Sequence, residues 1–163
     1  MYYAERFQWS IFPVTPGKKA PPIKGWQAKS TKDPKIIDKF WTKRPNWNIG
    51  LDCGKSDMFV IDCDLKTEII KQPNGSEIER TINGLESLKL LEAKFGLLPP
   101  PPHTMRSRTP RGGMHIFLRN VHKLRNSASK IAEGIDVRGI GGYVLLPGSV
   151  IDGVGVYSWL PND

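Results

Sequence analysis

Two aspartates one residue apart, Asp62 and Asp64, end the apolar run Met58-Phe59-Val60-Ile61-Asp62-Cys63-Asp64-Leu65. In a β-strand, side chains alternate between faces, so Met58, Val60, Asp62 and Asp64 share one face and Phe59, Ile61, Cys63 and Leu65 the other. At ~3.3 Å per residue, the two carboxylates stand about 6–7 Å apart along the strand. Carboxylates aimed at one point repel each other and are costly to desolvate, and a divalent cation relieves both penalties. Taken alone, an Asp-x-Asp is more often a solvated strand end. The rest of the chain decides how it is read.

His115 follows a double glycine, in Gly112-Gly113-Met114-His115-Ile116-Phe117-Leu118, and four arginines lie near it in sequence: Arg106, Arg108, Arg111 and Arg119. Glycines let a backbone approach a ligand closely. An imidazole beside several guanidiniums suits a triphosphate, and Arg106 and Arg108 share a strand face. In Gly134-Ile135-Asp136-Val137-Arg138-Gly139, alternation puts Asp136 and Arg138 on one face. They are either an ion pair or a third metal ligand beside a phosphate contact. Gly139 and Gly141-Gly142 again permit close approach of a ligand or strand, and Pro147-Gly148-Ser149 is a turn with an exposed hydroxyl. Trp26, Trp41 and Trp47 are read as core or interface residues ahead of base-stacking platforms.

Elements that would position these groups can be read along the chain. A short helix is expected within residues 1–10, then a strand from Phe12 running into a turn, a loop over Pro21–Trp26, and a helix capped by Thr31 or Asp33. That helix carries Ile36, Ile37, Phe40 and Trp41 and stops at Pro45. Trp47–Leu51 reads as a strand. Residues 66–83 are polar, with a turn signal at Pro73-Asn74-Gly75, and are expected to be irregular. An amphipathic helix over 85–95 ends at Gly96, and Pro99–Pro102 imposes an extended segment. Met105–Arg108 and Met114–Arg119 form a predicted hairpin. Lys130–Val137 and Tyr143–Leu146 form another predicted pair, and a last strand lies near 156–159. Helices mixed with mostly hairpin-linked strands argue for an α+β fold.

The 163 residues suit one domain spanning 1–163, and the two cysteines, Cys53 and Cys63, cannot make a zinc site by themselves. A reduced, cytoplasmic chain is expected, with no membrane segment. The net charge of +8 favours a polyanionic partner. It is concentrated. Nine Lys or Arg fall within residues 18–44 and seven within 106–130, together 16 of the 24. Two basic runs flanking a paired-acid strand look like phosphate-binding walls, the 18–44 run holding template phosphates by salt-sensitive contacts.

The ordered set of blocks resembles the bifunctional DNA primase–polymerase domain of the archaeo-eukaryotic primase superfamily, found in replication proteins of plasmids, phages and integrated elements. The blocks are Trp47–Leu51 through Val60–Asp64; Thr109–Phe117; Gly134–Val144; and Pro147-Gly148-Ser149 with Tyr157 and Trp159. The early Pro16–Trp26 stretch also fits, so the resemblance spans nearly the whole chain. It implies an αβ module joined to an RRM-like module of mostly antiparallel strands, with the active site in the cleft between them. It implies that Asp62, Asp64 and Asp136 hold Mg²⁺ or Mn²⁺ and that His115 contacts the phosphates of the incoming nucleoside triphosphate. The expected chemistry is two-metal, template-directed nucleotidyl transfer: primer synthesis, extension, or both. Arg111 and Arg138, with Arg106, Arg108 and Ser149, complete the expected nucleotide-binding set. Implied partners are single-stranded DNA template and primer, nucleoside triphosphates, and a helicase domain or protein. Gly113 stands where the superfamily often has serine, and no zinc-binding stem is encoded.

Three other readings compete: a metal-dependent nuclease, a non-catalytic single-stranded DNA-binding module of a larger replication protein, and a small nucleotide-binding regulator. The regulator leaves the two basic runs unexplained. A rolling-circle initiator would need a second histidine flanking one apolar residue, and His115 has none.

Overall fold

The structure is a computed structural model that describes residues 1–19 and 24–161. Of the loop expected over Pro21–Trp26, residues 21–23 fall outside these, Lys24 and Gly25 form a turn, and Trp26 is not loop but opens a helix.

In chain order the elements are α1 (Tyr2–Phe7), β1 (Ile11–Val14), α2 (Trp26–Lys29), α3 (Pro34–Lys43), β2 (Asn48–Asp52), β3 (Met58–Cys63), β4 (Leu65–Lys71), β5 (Glu77–Asn83), α4 (Gly84–Phe95), β6 (Arg106–Arg108), β7 (Met114–Arg119), β8 (Ser127–Ala132), β9 (Ile135–Arg138), β10 (Tyr143–Leu145), β11 (Val150–Ile151), β12 (Gly155–Val156) and β13 (Ser158–Trp159). The fold is α+β. Among the described residues every strand pair is antiparallel, and parallel pairing is confined to isolated bridges such as Gly17 with Ile151.

The predicted helices have physical stops and starts. Asp33 caps α3 by accepting from the Lys35 amide, and Pro34 occupies the first turn. Asn83 caps α4 through the Leu85 and Glu86 amides, and Gly96 closes it in the left-handed conformation at φ 61°.

A six-stranded sheet in the order β13-β6-β7-β3-β9-β8 carries the acid-bearing strand near its middle, and a three-stranded sheet has the order β1-β2-β10. A single core of Trp9, Leu51, Val60, Phe117 and Leu146, with Ile37 of α3, joins the two sheets. The other face of the three-stranded sheet buries Phe12, Val14, Trp26, Leu145 and Tyr157. Trp26 is therefore a core residue, stacked on Phe12 at 4.4 Å. Cys53 and Cys63 are both buried and unpaired, and burial pushes each thiol up to about 12.

Two expectations are corrected. Residues 66–83 are not irregular: β4 and β5 form a hairpin in continuous register from Leu65–Asn83 to Lys71–Glu77. Among the described residues they pair only with each other, so neither face needs an apolar pattern, and Ile69 stays 63% exposed. The second predicted pair is also rearranged. Lys130–Val137 is broken by a turn at Gly134 (φ 75°), so β8 pairs with β9, while β10 crosses to β2 of the other sheet.

Candidate active site

Strand register assembles the site. On the six-stranded sheet, Asp62 of β3 lies directly opposite His115 of β7 on one side and Asp136 of β9 on the other. Directly opposed residues project from the same face of a sheet, so one histidine and two carboxylates are neighbours by pairing alone. Asp64 lies just past the end of β3, held by its amide to the Gly134 carbonyl and by its carbonyl to the Gly84 amide, both at 2.8 Å. Asp62, Asp64 and Asp136 each offer a carboxylate oxygen, all within 4.8 Å of one another.

The three acids have different environments. Asp62 accepts from His115 Nε2 at 3.3 Å and faces Arg138 Nε at 3.5 Å. Burial alone would raise its pKa. The His115 hydrogen bond, the charges of His115 and Arg138, and Lys19 outweigh burial and hold it below the ordinary carboxylate value. Asp136 accepts from the Ser129 amide at 2.8 Å and from Arg138 Nη2 at 2.5 Å. Asp64 has no ion-pair partner among the described residues. Burial, followed by the charge of Asp62, pushes its pKa up, Asp136 adds to this, and Lys19 offsets it in part. The trio thus carries more negative charge than Arg138 and His115 balance. Hard oxygen donors with unbalanced charge suit Mg²⁺ or Mn²⁺, so the residues fit the metal the fold family implies.

Two concavities meet at the acids. One, of about 300 Å³, is bordered by Asp62, His115, Arg138, Trp26, Asn126 and Tyr143. The other, of about 460 Å³, is bordered by Asp64, Lys18, Lys19, Lys66 and Arg111. Lys19 lies on both rims. Asn48, buried at the start of β2, holds this wall together. Its amide donates to the Lys18 and Val150 carbonyls and accepts from the Val150 amide. Sequence reading missed Asn48, Lys19 and Lys66. The basic run 18–44 pointed to Lys19 only as one cation among nine.

The chain belongs to the bifunctional DNA primase/polymerase family. The family model for the N-terminal domain matches residues 1–163, the full length. Membership carries DNA primase/polymerase activity at the level of the family, with DNA and nucleotides as substrates. No curated protein matches the chain. Among the described residues, no helix is long and apolar enough to cross a membrane.

Several residues expected to contact the nucleotide in this primase/polymerase domain stand elsewhere. Ser149 is fully buried, not exposed. Its Oγ accepts from the Ile49 amide and holds the turn after β10 against β2. Arg106 does not face the acids: its guanidinium donates to the Pro100, Pro101 and Pro102 carbonyls and pins the proline segment. Arg108 is exposed on β6, opposite Ser158. The His115 side chain is only 4% exposed, with Nε2 turned to Asp62 and Nδ1 without a partner among the described residues, and it borders the smaller concavity. The double glycine serves packing as well as a turn. A Cβ on Gly113 would lie 2.3 Å from the Cys63 carbonyl oxygen, so glycine there lets β7 close against β3.

Proposed function

We propose that this domain performs template-directed nucleotidyl transfer on DNA, adding nucleotides to a 3′-hydroxyl at the junction of the two concavities. The observation that carries the reading is the convergence of Asp62, Asp64 and Asp136 within 4.8 Å beside a wall of lysines and arginine. Mg²⁺ or Mn²⁺ held by these three carboxylates would neutralise the triphosphate and lower the pKa of the attacking 3′-hydroxyl.

The chain's own groups do the positioning. Arg111, Lys18 and Lys66 on one side of the acids and Arg138 on the other form a set of cations that a triphosphate can span. Arg138 reaches both Asp62 and Asp136 with its side chain 31% exposed, so it fixes two ligands while keeping N–H groups turned to the concavity. His115 orients Asp62 through Nε2, and Asn48 fixes the carbonyl of Lys18, which sets where that lysine projects. Charge placed in advance around the reacting phosphate supplies most of the rate.

The test is incubation with primed and unprimed single-stranded DNA, with ribonucleotides or deoxyribonucleotides and with Mg²⁺ or Mn²⁺ in turn. Longer products or new primers are expected. Shortened DNA would replace this reading with a nuclease, and binding without turnover would replace it with a non-catalytic DNA-binding module.

A further inference from the structure

The two basic runs meet a second time, away from the acids. At the end of the β3–β7 pair where Met58 opposes Arg119, four residues along from the Asp62–His115 pair, lies a concavity of about 570 Å³. Four strand steps put it about 13 Å from the acids. Its cations come from four separate segments: Lys32 before α3, Lys55 in the β2–β3 turn, Arg119 at the end of β7, and Lys123 beyond it. All four are exposed. Among the described residues the one acid on its rim, Asp57, is paired with Lys123 at 3.0 Å. Lys55 is held in place by the Ser30 carbonyl at 2.9 Å. The floor is Trp9 and Met58, and Phe7, half-buried and stacked on Trp9 at 4.8 Å, forms an aromatic edge.

We infer that this concavity is a second nucleic-acid site, holding the backbone of single-stranded DNA that extends beyond the catalytic end. With Asp57 balanced by Lys123, the three further cations Lys32, Lys55 and Arg119 attract a polyanion without reading its sequence. An aromatic edge beside them suits a single strand, whose bases are free to stack. The inference names a further partner surface and rests on the proposed polymerase reading only for which DNA passes there.

The test uses the triple variant Lys32→Ala, Arg119→Ala, Lys123→Ala, with Lys32→Arg and Arg119→Lys together as the charge-keeping control. Fluorescence anisotropy measures binding of oligothymidylates of increasing length over a salt series. The triple variant is expected to lose about tenfold or more in affinity for long oligonucleotides, with its salt slope falling by about 2. Short oligonucleotides and nucleotide dependence stay unchanged, and the control behaves as the parent. Equal affinity at every length, or a loss that the charge-keeping control shares, overturns the inference. Displacement by polyglutamate of the same length as readily as by oligothymidylate refutes nucleic-acid recognition. Binding is read without turnover. A protein that binds in this way but never extends DNA fails only the polymerase reading, while one that extends DNA but binds it equally well as the triple variant fails only this inference.

Discussion

The β3–β7 strand pair carries acids at one end and cations at the other, and the two ends are built differently. At the Asp62–His115 end, the carboxylate and the imidazole are largely buried, 13% and 4% exposed, and each is tied to a partner in cross-strand register. At the Met58–Arg119 end the cations are exposed, and Lys123 is 68% open even while paired with Asp57. Buried charges must be paired and hydrogen-bonded to be tolerated, and that requirement fixes geometry. Exposed cations have no such requirement, so they supply field without fixed aim. The proposed nucleotidyl transfer needs the first kind of order, at a defined atom, and the inferred strand-holding site needs only the second.

The sharpest way to break this contrast is to remove the acids. Asp62→Ala and Asp64→Ala are each expected to lower nucleotide incorporation by at least about 100-fold, while single-stranded DNA affinity stays at the parent level. The cation variants at the far end should do the reverse. A primer-extension assay paired with anisotropy on the same preparations separates the two. Incorporation surviving in Asp64→Ala would remove the acids from the reaction.

Next comes the packing between the strands. Gly113→Ala puts a Cβ onto the Cys63 carbonyl, and backbone there has no way to yield except by separating β7 from β3. A loss of about 1–3 kcal/mol is expected, read from urea unfolding. Incorporation should fall as well, because His115 moves away from Asp62. The distant concavity keeps its DNA affinity if the shift stays local. An unperturbed unfolding midpoint would show that the strands are not in close contact at this point.

These elements also show which parts of the molecule can be read from sequence. Asp62 and Asp64 announce themselves because they end a strongly apolar strand, and α3 and α4 because Asp33, Pro34 and Gly96 mark their ends. The β4–β5 hairpin stays hidden because it packs on nothing that would impose alternation, and the pairing of the predicted strand β10 because its partner β2 lies more than 90 residues back, not in the strand before it. Ser149 was misread because a hydroxyl after Pro-Gly looks exposed, and only the tertiary contact with Ile49 shows that it closes a backbone bond. Asp136 was correctly associated with Arg138 by alternation. That both lie against Asp62 follows from β3–β9 register, which local pattern does not contain.

The smallest expected effect tests whether the acidic end is internally unbalanced. Asp62 has a lowered pKa, so its ionised form stabilises the fold. That contribution is present above the unfolded value of about 4 and is lost as pH falls through the depressed folded value. Asp62→Asn should therefore lower Tm at pH 7, by about 2–4 °C, and the difference should shrink in acid. Asp64 has a raised pKa, which reverses the sign. Its contribution is present below about pH 4 and is lost as pH rises through the elevated folded value, because ionisation adds a third negative charge beside Asp62 and Asp136. Asp64→Asn should raise Tm at pH 7, by about 1–2 °C given the solvent screening of a half-open side chain, and match the parent near pH 4. Mg²⁺ or Mn²⁺ should raise the Tm of the parent more than that of Asp64→Asn, since a ligand that binds only the folded state stabilises it by an amount that grows with the logarithm of its affinity. Calorimetric scans at pH 4 and pH 7, with and without the metal, read all of these. The same sign for both asparagine variants would mean that the three carboxylates are already balanced by Arg138, His115 and Lys19, and that the acidic end has no unmet charge with which to attract a cation.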